Sequence, residues 1–509
     1  MTRPSSPGPR RRRQRLAALA LLPGLVWPTL SAGQGAAPPG DTSPALPADV
    51  SAALQRAGVP ERALSVVLQE AGGARTLMSQ QADVPVNPAS LAKLLTTFAA
   101  LELLGPAWTW ATPVWLTGPV QDGVLNGDLV IRGSGDPKLV LERIWLLLRR
   151  VQAVGVRTIG GDIVLDSSAF APPEVTPADF DGERHRAYNV LPDALMLNYK
   201  SVNYSFLPDP ALGVAQVLSE PRLPEAPEAT VPLAAGPCTD WRGALKASFD
   251  SARVRFAGSY LQSCGEQTWV TADAQPQTYN ARLLQSMWRE SGGRLNGRVR
   301  EGRAPTDRPP SFELRSPPLA EVVRDINKFS NNVMAQQLFL TLAAQQDPTR
   351  PATAAAARAL LARWATERLG DAAQSLLVDN GSGLSRDNRV SASALARLLQ
   401  LAWGSAVMPE LMSSLPVNGL DGTLRRSRAT PGRAHLKTGS LRDVAGVAGY
   451  VLTDGGQRRV LVAVIQHPNA NAARPALDAL VNWAMRDLRD VRDVRDVRDV
   501  RDVRDARPR

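Results

Sequence analysis

Apolar residues recur at helical spacing in one stretch that directly follows a helix-start signal. Asn87 is a good N-cap, Pro88 is a good first helical residue, and Gly105 and Pro106 favour the end of a helix. The apolar positions between them are Leu91, Leu94, Leu95, Phe98, Leu101 and Leu104. Their spacing of three and four residues predicts a buried helix that begins near residue 88.

Other apolar patterns predict that strands from both ends of the chain form one antiparallel sheet. Two strands are expected at 64–68 and 75–78, around a Gly-Gly turn. Three more are expected at 435–441, 444–452 and 459–466, the last two joined by a hairpin turn. Helical patterns occur at 47–57, 139–153, 279–291, 319–344, 351–369, 391–403 and 474–485. Helices packed on an antiparallel sheet are typical of an α+β fold.

The stretch from 106 to 276 differs from the rest, because it is rich in proline and glycine and its strands are short. A Gly-Asp-strand pattern at 127–131 is repeated at 161–165, on either side of a helical segment. A loop is expected at 221–237 and a strand at 253–260. We therefore predict a large α/β insert that leaves the main domain after the first buried helix and returns to it near residue 277.

The two ends of the chain predict segments outside the folded body. An arginine-rich start, a short apolar run and then small residues are typical of a signal peptide, and the apolar run is too short to span a membrane. The C-terminal Arg-Asp-Val repeat makes no apolar stripe, which favours disorder or a frayed helix. The expected organisation is a signal peptide at 1–33, a linker at 34–46, the main domain at 47–105 and 277–487, the insert at 106–276 and a tail at 488–509.

The formal charge of +11 belongs mostly to these ends. Six arginines precede residue 33, and the segment from 486 holds nine arginines against seven aspartates, so removing both segments leaves +3 for the body. The charge therefore does not indicate a nucleic acid partner. In an exported chain, the two cysteines, Cys238 and Cys264, predict a disulfide. None of the three histidines has zinc-ligand spacing to them, so no metal and no cofactor is expected.

Ser90 and Lys93 fall in the first turn of the predicted buried helix, three residues apart and therefore on one face. Free N–H groups and the helix dipole favour a developing anion at Ser90. Burial disfavours the charged form of Lys93, and a neutral lysine can take the proton of a neighbouring hydroxyl. An ordinary first-turn serine beside a lysine is the structural alternative, because Ser-x-x-Lys is common by chance.

Two further motifs follow Ser-x-x-Lys in a fixed order, and they favour the catalytic interpretation of Ser90 and Lys93 over the structural one. Ser-x-x-Lys, Ser-x-Asn and Lys-Thr-Gly in this order form the signature of penicillin-binding proteins and serine β-lactamases. The second motif lies between helical turns, and the third lies on the predicted strand before the terminal hairpin. They are Ser330-Asn331-Asn332 and Lys437-Thr438-Gly439-Ser440.

Four of these residues suit the chemical steps of acyl transfer. Ser90 attacks a carbonyl, and Lys93 takes its proton. Ser330 relays a proton to the leaving amine, while Asn332 orients Lys93 and holds a substrate amide. Helix capping is the structural alternative for Ser330 and Asn332.

The Lys-Thr-Gly strand suits substrate binding. Lys437 keeps the pocket positive and, with Thr438, binds a substrate carboxylate. Gly439 leaves room for a substrate along the strand edge, and the N–H of Ser440 joins that of Ser90 as an oxyanion hole. His435, on the same strand face, is expected to have a surface or packing role.

The chain resembles the D-Ala-D-Ala carboxypeptidase/endopeptidase group of low-molecular-mass class C penicillin-binding proteins, over roughly residues 47–487. Besides the three motifs, the resemblance is carried by Gly133-Ser134-Gly135-Asp136-Pro137, Asn380-Gly381-Ser382-Gly383-Leu384-Ser385-Arg386, Leu415-Pro416-Val417, Asp421-Gly422-Thr423-Leu424 and His467-Pro468-Asn469. It implies a transpeptidase/β-lactamase-like domain, a periplasmic location and peptidoglycan as substrate. Asn331 departs from many relatives, which have Asp there.

The function expected from these observations is a serine DD-peptidase that acts through an acyl-Ser90 intermediate and is inhibited by penicillin. Expected partners are peptidoglycan stem peptides and β-lactams, with at most peripheral membrane contact. A serine β-lactamase is one alternative, but it needs a deacylating base, and no class A-type glutamate motif is evident. A catalytically idle wall-binding protein is the other, and the intact motif residues argue against it.

Overall fold

The computed structural model describes residues 45–224, 229–249 and 254–487. The predicted signal peptide, nearly all of the linker and the Arg-Asp-Val tail lie outside these residues, as does Arg253 at the start of one predicted strand. The described residues form eleven α-helices: α1 (Ala48–Arg56), α2 (Lys93–Leu104), α3 (Leu141–Ala153), α4 (Trp241–Ala244), α5 (Tyr279–Glu290), α6 (Leu319–Phe329), α7 (Asn332–Gln346), α8 (Ala354–Leu369), α9 (Ala392–Trp403), α10 (Met408–Ser414) and α11 (Arg474–Met485).

The strands of the described residues divide between the two ends of the chain and its middle. In chain order they are β1 (Leu64–Glu70), β2 (Thr76–Gln80), β3 (Ala111–Leu116), β4 (Val120–Gln121), β5 (Val124–Leu125), β6 (Leu129–Arg132), β7 (Thr158–Ile159), β8 (Ile163–Asp166), β9 (Ser201–Asp209), β10 (Val214–Glu220), β11 (Thr230–Ala234), β12 (Ala247–Ser248), β13 (Arg255–Phe256), β14 (Tyr260–Leu261), β15 (Gln267–Ala272), β16 (Arg294–Leu295), β17 (Val299–Glu301), β18 (Phe312–Arg315), β19 (Ala434–Leu441), β20 (Val444–Leu452) and β21 (Arg458–Gln466).

The main sheet joins both ends of the chain, as the apolar patterns predict. Its order is β19-β20-β21-β1-β2, and Leu64 pairs with Ile465 in the antiparallel register of β1 and β21. Both faces are covered, so β21 is buried along nearly its whole length. Val462 packs with α2 and α6–α9 on one face, whereas Leu461 packs with α1 and α11 on the other. The α+β fold class is thereby confirmed.

The middle of the chain forms three larger sheets around a core of its own. Two of them have the orders β17-β8-β6-β3-β18 and β14-β11-β10-β9-β15, and the third is β16-β7-β5-β4. The two repeated Gly-Asp-strand segments are β6 and β8, which pair in parallel with Leu129 opposite Ile163. β18 pairs with β3 in an antiparallel register, and beside this pair Ser316 donates its backbone N–H to Trp110 O over 3.0 Å. The domain boundaries stay a prediction.

Several local predictions in the middle of the chain are wrong. The loop expected at 221–237 contains β11, because β10 and β14 supply hydrogen-bonding edges that outweigh the low strand propensity of a proline-rich segment. The strand expected at 253–260 is two short strands, β13 and β14. The long strands β3, β9, β10 and β15, and the helix α10, have no counterpart in the sequence-based prediction.

Candidate active site

Ser90 lies in a tight 3₁₀ turn, Ala89–Ala92, that precedes α2 instead of in the first α-helical turn. Ala89 has φ of +47°, a left-handed conformation that is costly for a residue with a side chain. Asn87 holds this turn: its Oδ1 accepts the N–H of Ala89 over 2.8 Å, and its Nδ2 donates to Ser385 O over 2.9 Å. The serine is therefore presented on a constrained backbone.

Two glycines let neighbouring backbone pack directly on the Ser90 turn. A Cβ on Gly383, which has φ of +82°, would lie 1.9 Å from Ala89 O. A Cβ on Gly439 would lie 2.7 Å from Pro88 O. The close approach of β19 to the serine turn thus requires glycine at 439, which is a different physical reason from the room for substrate that the sequence suggests.

Lys93 is fully buried beneath Ser90. Its Nζ lies 2.9 Å from Ser90 Oγ, 2.7 Å from Asn332 Oδ1 and 2.5 Å from the backbone oxygen of Ser382. Burial, together with the nearby charge of Lys437, holds the pKa of Lys93 well below its usual range. Lys93 is therefore placed to act as a neutral amine.

Ser330 ends α6 in the left-handed conformation, with φ of +55°, and its hydroxyl faces the second lysine. Lys437 Nζ lies 2.8 Å from Ser330 Oγ and 2.9 Å from Thr438 O. Lys437 is fully buried, and burial lowers its pKa to about 7. The structure thus pairs each motif serine with a motif lysine, Ser90 with Lys93 and Ser330 with Lys437.

Asn331 and Asn332 have different tasks at the start of α7. Asn331 Oδ1 caps the helix by accepting the N–H of Met334 over 3.1 Å. Asn332 turns inward to Lys93, and its Nδ2 lies 3.4 Å from Tyr188 O. The capping role considered for Asn332 therefore belongs to its neighbour.

A cleft of about 1060 Å³ opens above these groups. Three of its residues belong to the segment between β8 and β9: Phe180, Asp181 and Tyr188. This segment is tied to the helices of the main domain, since the N–H of Asp193 donates to Gln337 Oε1 over 2.9 Å. Motif residues that line the cleft are Ser90, Ser330, Asn332, Thr438, Gly439 and Ser440.

The hydroxyls of the Lys-Thr-Gly strand meet two side chains to which sequence analysis assigned no role in the site. Thr438 Oγ1 lies 2.7 Å from Thr423 Oγ1, and Arg474 Nη2 donates to Ser440 Oγ over 2.7 Å. The backbone oxygen of Ser382, which accepts from Lys93, was missed as well. A backbone carbonyl leaves no signature in side-chain patterns, but the Asn-Gly-Ser-Gly segment that carries it is one of the stretches on which the family resemblance rests.

The remaining predicted residues lie outside this centre. Cys238 and Cys264 form a disulfide, with sequence separation 26, and Cys264 packs in the core of the insert. His435 is half-buried on β19, and burial lowers its pKa. Within the described residues, no group of three or more His, Cys, Asp or Glu side chains is arranged to hold a metal ion.

Comparisons with known proteins show similarity in sequence and in fold. The model of the D-Ala-D-Ala carboxypeptidase 3 (S13) family matches residues 46–487. The chain is 29% identical over 479 residues to the D-alanyl-D-alanine carboxypeptidase of Actinomadura sp. (strain R39), covering 88% of this chain and 86% of that protein.

Two solved structures of penicillin binding protein 4 (dacB) from Haemophilus influenzae share the fold at 23% identity, and one of them is complexed with a β-lactam. Each covers 85% of this chain and 99% of the other, with TM-scores of 0.67 and, for the complex, 0.64.

Proposed function

The chain belongs to the D-Ala-D-Ala carboxypeptidase 3 (S13) family, and from that premise we propose that Ser90 is its nucleophile and Lys93 its general base. The protein is a serine DD-peptidase of peptidoglycan. The reaction joins the carbonyl carbon of the penultimate D-Ala to Ser90 Oγ and breaks its amide bond, after which water hydrolyses the ester.

The contacts of Lys93 support its role as the base. A neutral amine has two N–H groups and one lone pair. The oxygens of Asn332 and Ser382 that lie within 2.7 Å of Nζ can only accept, so they take the two N–H groups. The lone pair is left for the third neighbour, the hydroxyl of Ser90. This arrangement of three neighbours is the observation that carries the proposal.

We assign the later steps to the second serine–lysine pair and to the strand. Ser330, held by Lys437, relays to the leaving amine the proton that Lys93 took from Ser90, and its own hydroxyl is restored. Lys437, Thr438 and Ser440 bind the carboxylate of the leaving residue, and we call these three residues the carboxylate site. The N–H groups of Ser90 and Ser440 receive the developing oxyanion.

The surroundings of the reaction are proposed from the same premise. The substrate is a peptidoglycan stem peptide, β-lactams are inhibitors, and the chain acts in the periplasm after removal of residues 1–33. Among the described residues, no helix has the length and apolar character needed to cross a bilayer.

Mass spectrometry of the protein after incubation with benzylpenicillin tests the proposal. Wild type is expected to carry one persistent adduct on Ser90, because the leaving group of an opened β-lactam stays tethered and blocks water. Ser90→Ala should carry none, and Lys93→Ala should react slower by several orders of magnitude.

Ser427→Ala is the matched control, since Ser427 lines the same cleft but is bonded to Asp478 instead of a lysine. An adduct on another residue would overturn the assignment of Ser90. Rapid release of hydrolysed penicillin would indicate a β-lactamase, and no adduct in wild type would indicate an idle wall-binding protein.

A further inference from the structure

Three arginines line one wall of the cleft beyond the carboxylate site: Arg426, Arg428 and Arg474, which we call the basic wall. In the described part of the chain, none of the three forms an ion pair with an aspartate or glutamate. Guanidinium groups stay charged at all working pH values. The wall therefore brings three guanidinium charges to the cleft, against the one carboxylate of Asp478 beside them.

Helix α11 holds the three arginines together. Asp478 lies one turn after Arg474, and its two oxygens are used by the neighbouring segment: Oδ1 accepts from Ser427 Oγ over 2.7 Å, and Oδ2 accepts the N–H of Arg428 over 3.2 Å. The loop that carries Arg426 and Arg428 is thus docked beside Arg474. Asp478 positions this loop through its two hydrogen bonds.

The position of the basic wall relative to Ser90 identifies the part of the substrate that meets it. Thr438 and Ser440 are two residues apart on β19, so their side chains share a face. Thr423, just before Arg426 in the chain, contacts Thr438, whereas Arg474 contacts Ser440. Arg474 of the basic wall therefore borders the Ser440 hydroxyl of the carboxylate site, which receives the leaving residue. The loop that carries Arg426 follows the residue that contacts Thr438.

The charge of the basic wall exceeds what one carboxylate needs. Lys437, Thr438 and Ser440 already supply a cation and two hydroxyls to the carboxylate of a leaving D-Ala. Arg474 Nη2 donates hydrogen bonds to Ser440 Oγ and Asn471 Oδ1, over 2.7 and 2.9 Å. The charge of Arg474 therefore lies beside the carboxylate site. Arg426 and Arg428 are exposed. Their guanidinium groups are left for a second anion.

We propose that the basic wall binds a second carboxylate on the leaving side of the scissile amide, so that the enzyme prefers leaving residues with two carboxylates. The proposal rests on the proposed function and deepens it, because it names the chemical class of the leaving group. D-Ala offers one carboxylate, whereas a leaving residue or peptide with an additional acidic group offers the second.

Two synthetic peptides that differ only in the leaving residue test this proposal: acetyl-Lys-D-Ala-D-Glu and acetyl-Lys-D-Ala-D-Gln. The two leaving residues have nearly the same shape, but only D-Glu carries the second carboxylate. Wild type is expected to favour D-Glu in kcat/KM by about fivefold, the size of one ion pair at an exposed site. The preference should fall as salt is raised.

The double variant Arg426→Gln/Arg428→Gln should reduce the preference to near unity while cleavage of the D-Gln peptide is retained. Arg425→Gln is the matched control, because Arg425 is an exposed neighbour in the same loop that does not line the cleft. It should keep the wild-type preference. A preference that both variants lose equally, or that neither loses, would overturn the proposal.

The benzylpenicillin adduct distinguishes a failure of the basic-wall proposal from a failure of the proposed acyl-Ser90 mechanism. Wild type that is acylated on Ser90 and cleaves the two peptides with equal kcat/KM contradicts the basic wall and leaves the peptidase mechanism standing. Wild type that is not acylated contradicts the mechanism, and the basic wall falls with it.

Discussion

Lys93 and Lys437 are both fully buried, yet the proposed mechanism requires opposite charge states of the two side chains. Lys93 must be neutral to accept the proton of Ser90, and its low pKa favours that form. Lys437 must be charged to attract a substrate carboxylate, and burial brings its pKa to about 7. The two groups also repel each other's charge, which helps Lys93 to lose its proton first.

The pH dependence of kcat/KM should therefore pass through a maximum. As pH rises through the pKa of Lys93, the base becomes neutral and the rate rises. Above pH of about 7, Lys437 loses its charge and carboxylate binding weakens, so the rate falls. The measurement is kcat/KM against pH for a peptide that ends in D-Ala-D-Ala.

The same peptide with a C-terminal carboxamide is the control, because it has no carboxylate for Lys437 to bind. Its profile should lack the falling limb. Lys437→Ala should lower kcat/KM for the carboxylate substrate. The corresponding loss of transition-state stabilisation is about 2 kcal/mol. An unchanged kcat/KM in this variant would exclude the proposed role of Lys437.

At the scale of elements, the break between α6 and α7 is the feature that builds the site. A continuous helix over 319–344 would put Ser330 and Asn332 about 200° apart around the axis. The left-handed Ser330 instead separates the two helices, so that Ser330 faces Lys437 and Asn332 faces Lys93. Asn331 stabilises the restart by capping α7.

Replacing Asn331 should separate stability from catalysis. Asn331→Ala removes the cap of α7 and should lower the free energy of unfolding by about 1 kcal/mol. Asn331→Asp keeps an acceptor at the cap and should leave stability near wild type. Urea unfolding measures the first effect, and the rate of penicillin acylation should change little in either variant.

An equal loss of stability in Asn331→Ala and Asn331→Asp would show that capping is not what Asn331 contributes. A large loss of acylation in Asn331→Asp would show that this residue acts on the site itself.

At the scale of the whole molecule, the main domain and the insert have separate hydrophobic cores. Leu94, Phe98 and Leu338 belong to the core beneath the active site. Ile144, Phe206 and Cys264 belong to the core of the insert. Among the described residues of the insert, those that line the cleft are Phe180, Asp181 and Tyr188.

The disulfide between Cys238 and Cys264 should therefore affect the insert more than the active site. Closing a loop with sequence separation 26 stabilises the fold by roughly 3 kcal/mol in the chain-entropy model. The double variant Cys238→Ser/Cys264→Ser should unfold at lower urea concentration, whereas its folded form should react with benzylpenicillin at the wild-type rate.

Reduction of wild type should reproduce the loss of stability, because it opens the same loop without changing any side chain volume. Two free thiols titrated in denatured, unreduced wild type would contradict the disulfide itself.

The sequence by itself determined the motif residues, the strands of the main sheet and most of the helices around them, but not α10 or the break between α6 and α7. These follow from local patterns: periodicity around Leu94, the hairpin turn between β20 and β21, and three motifs in a fixed order. Only the tertiary structure decided how the motifs meet, since Lys93 and Asn332 are 239 residues apart. It also decided contacts that no pattern in the sequence predicts. The carbonyl of Ser382 and the proline-containing strand β11 are of this kind, because backbone groups and sheet edges acquire their partners only when distant segments pack together.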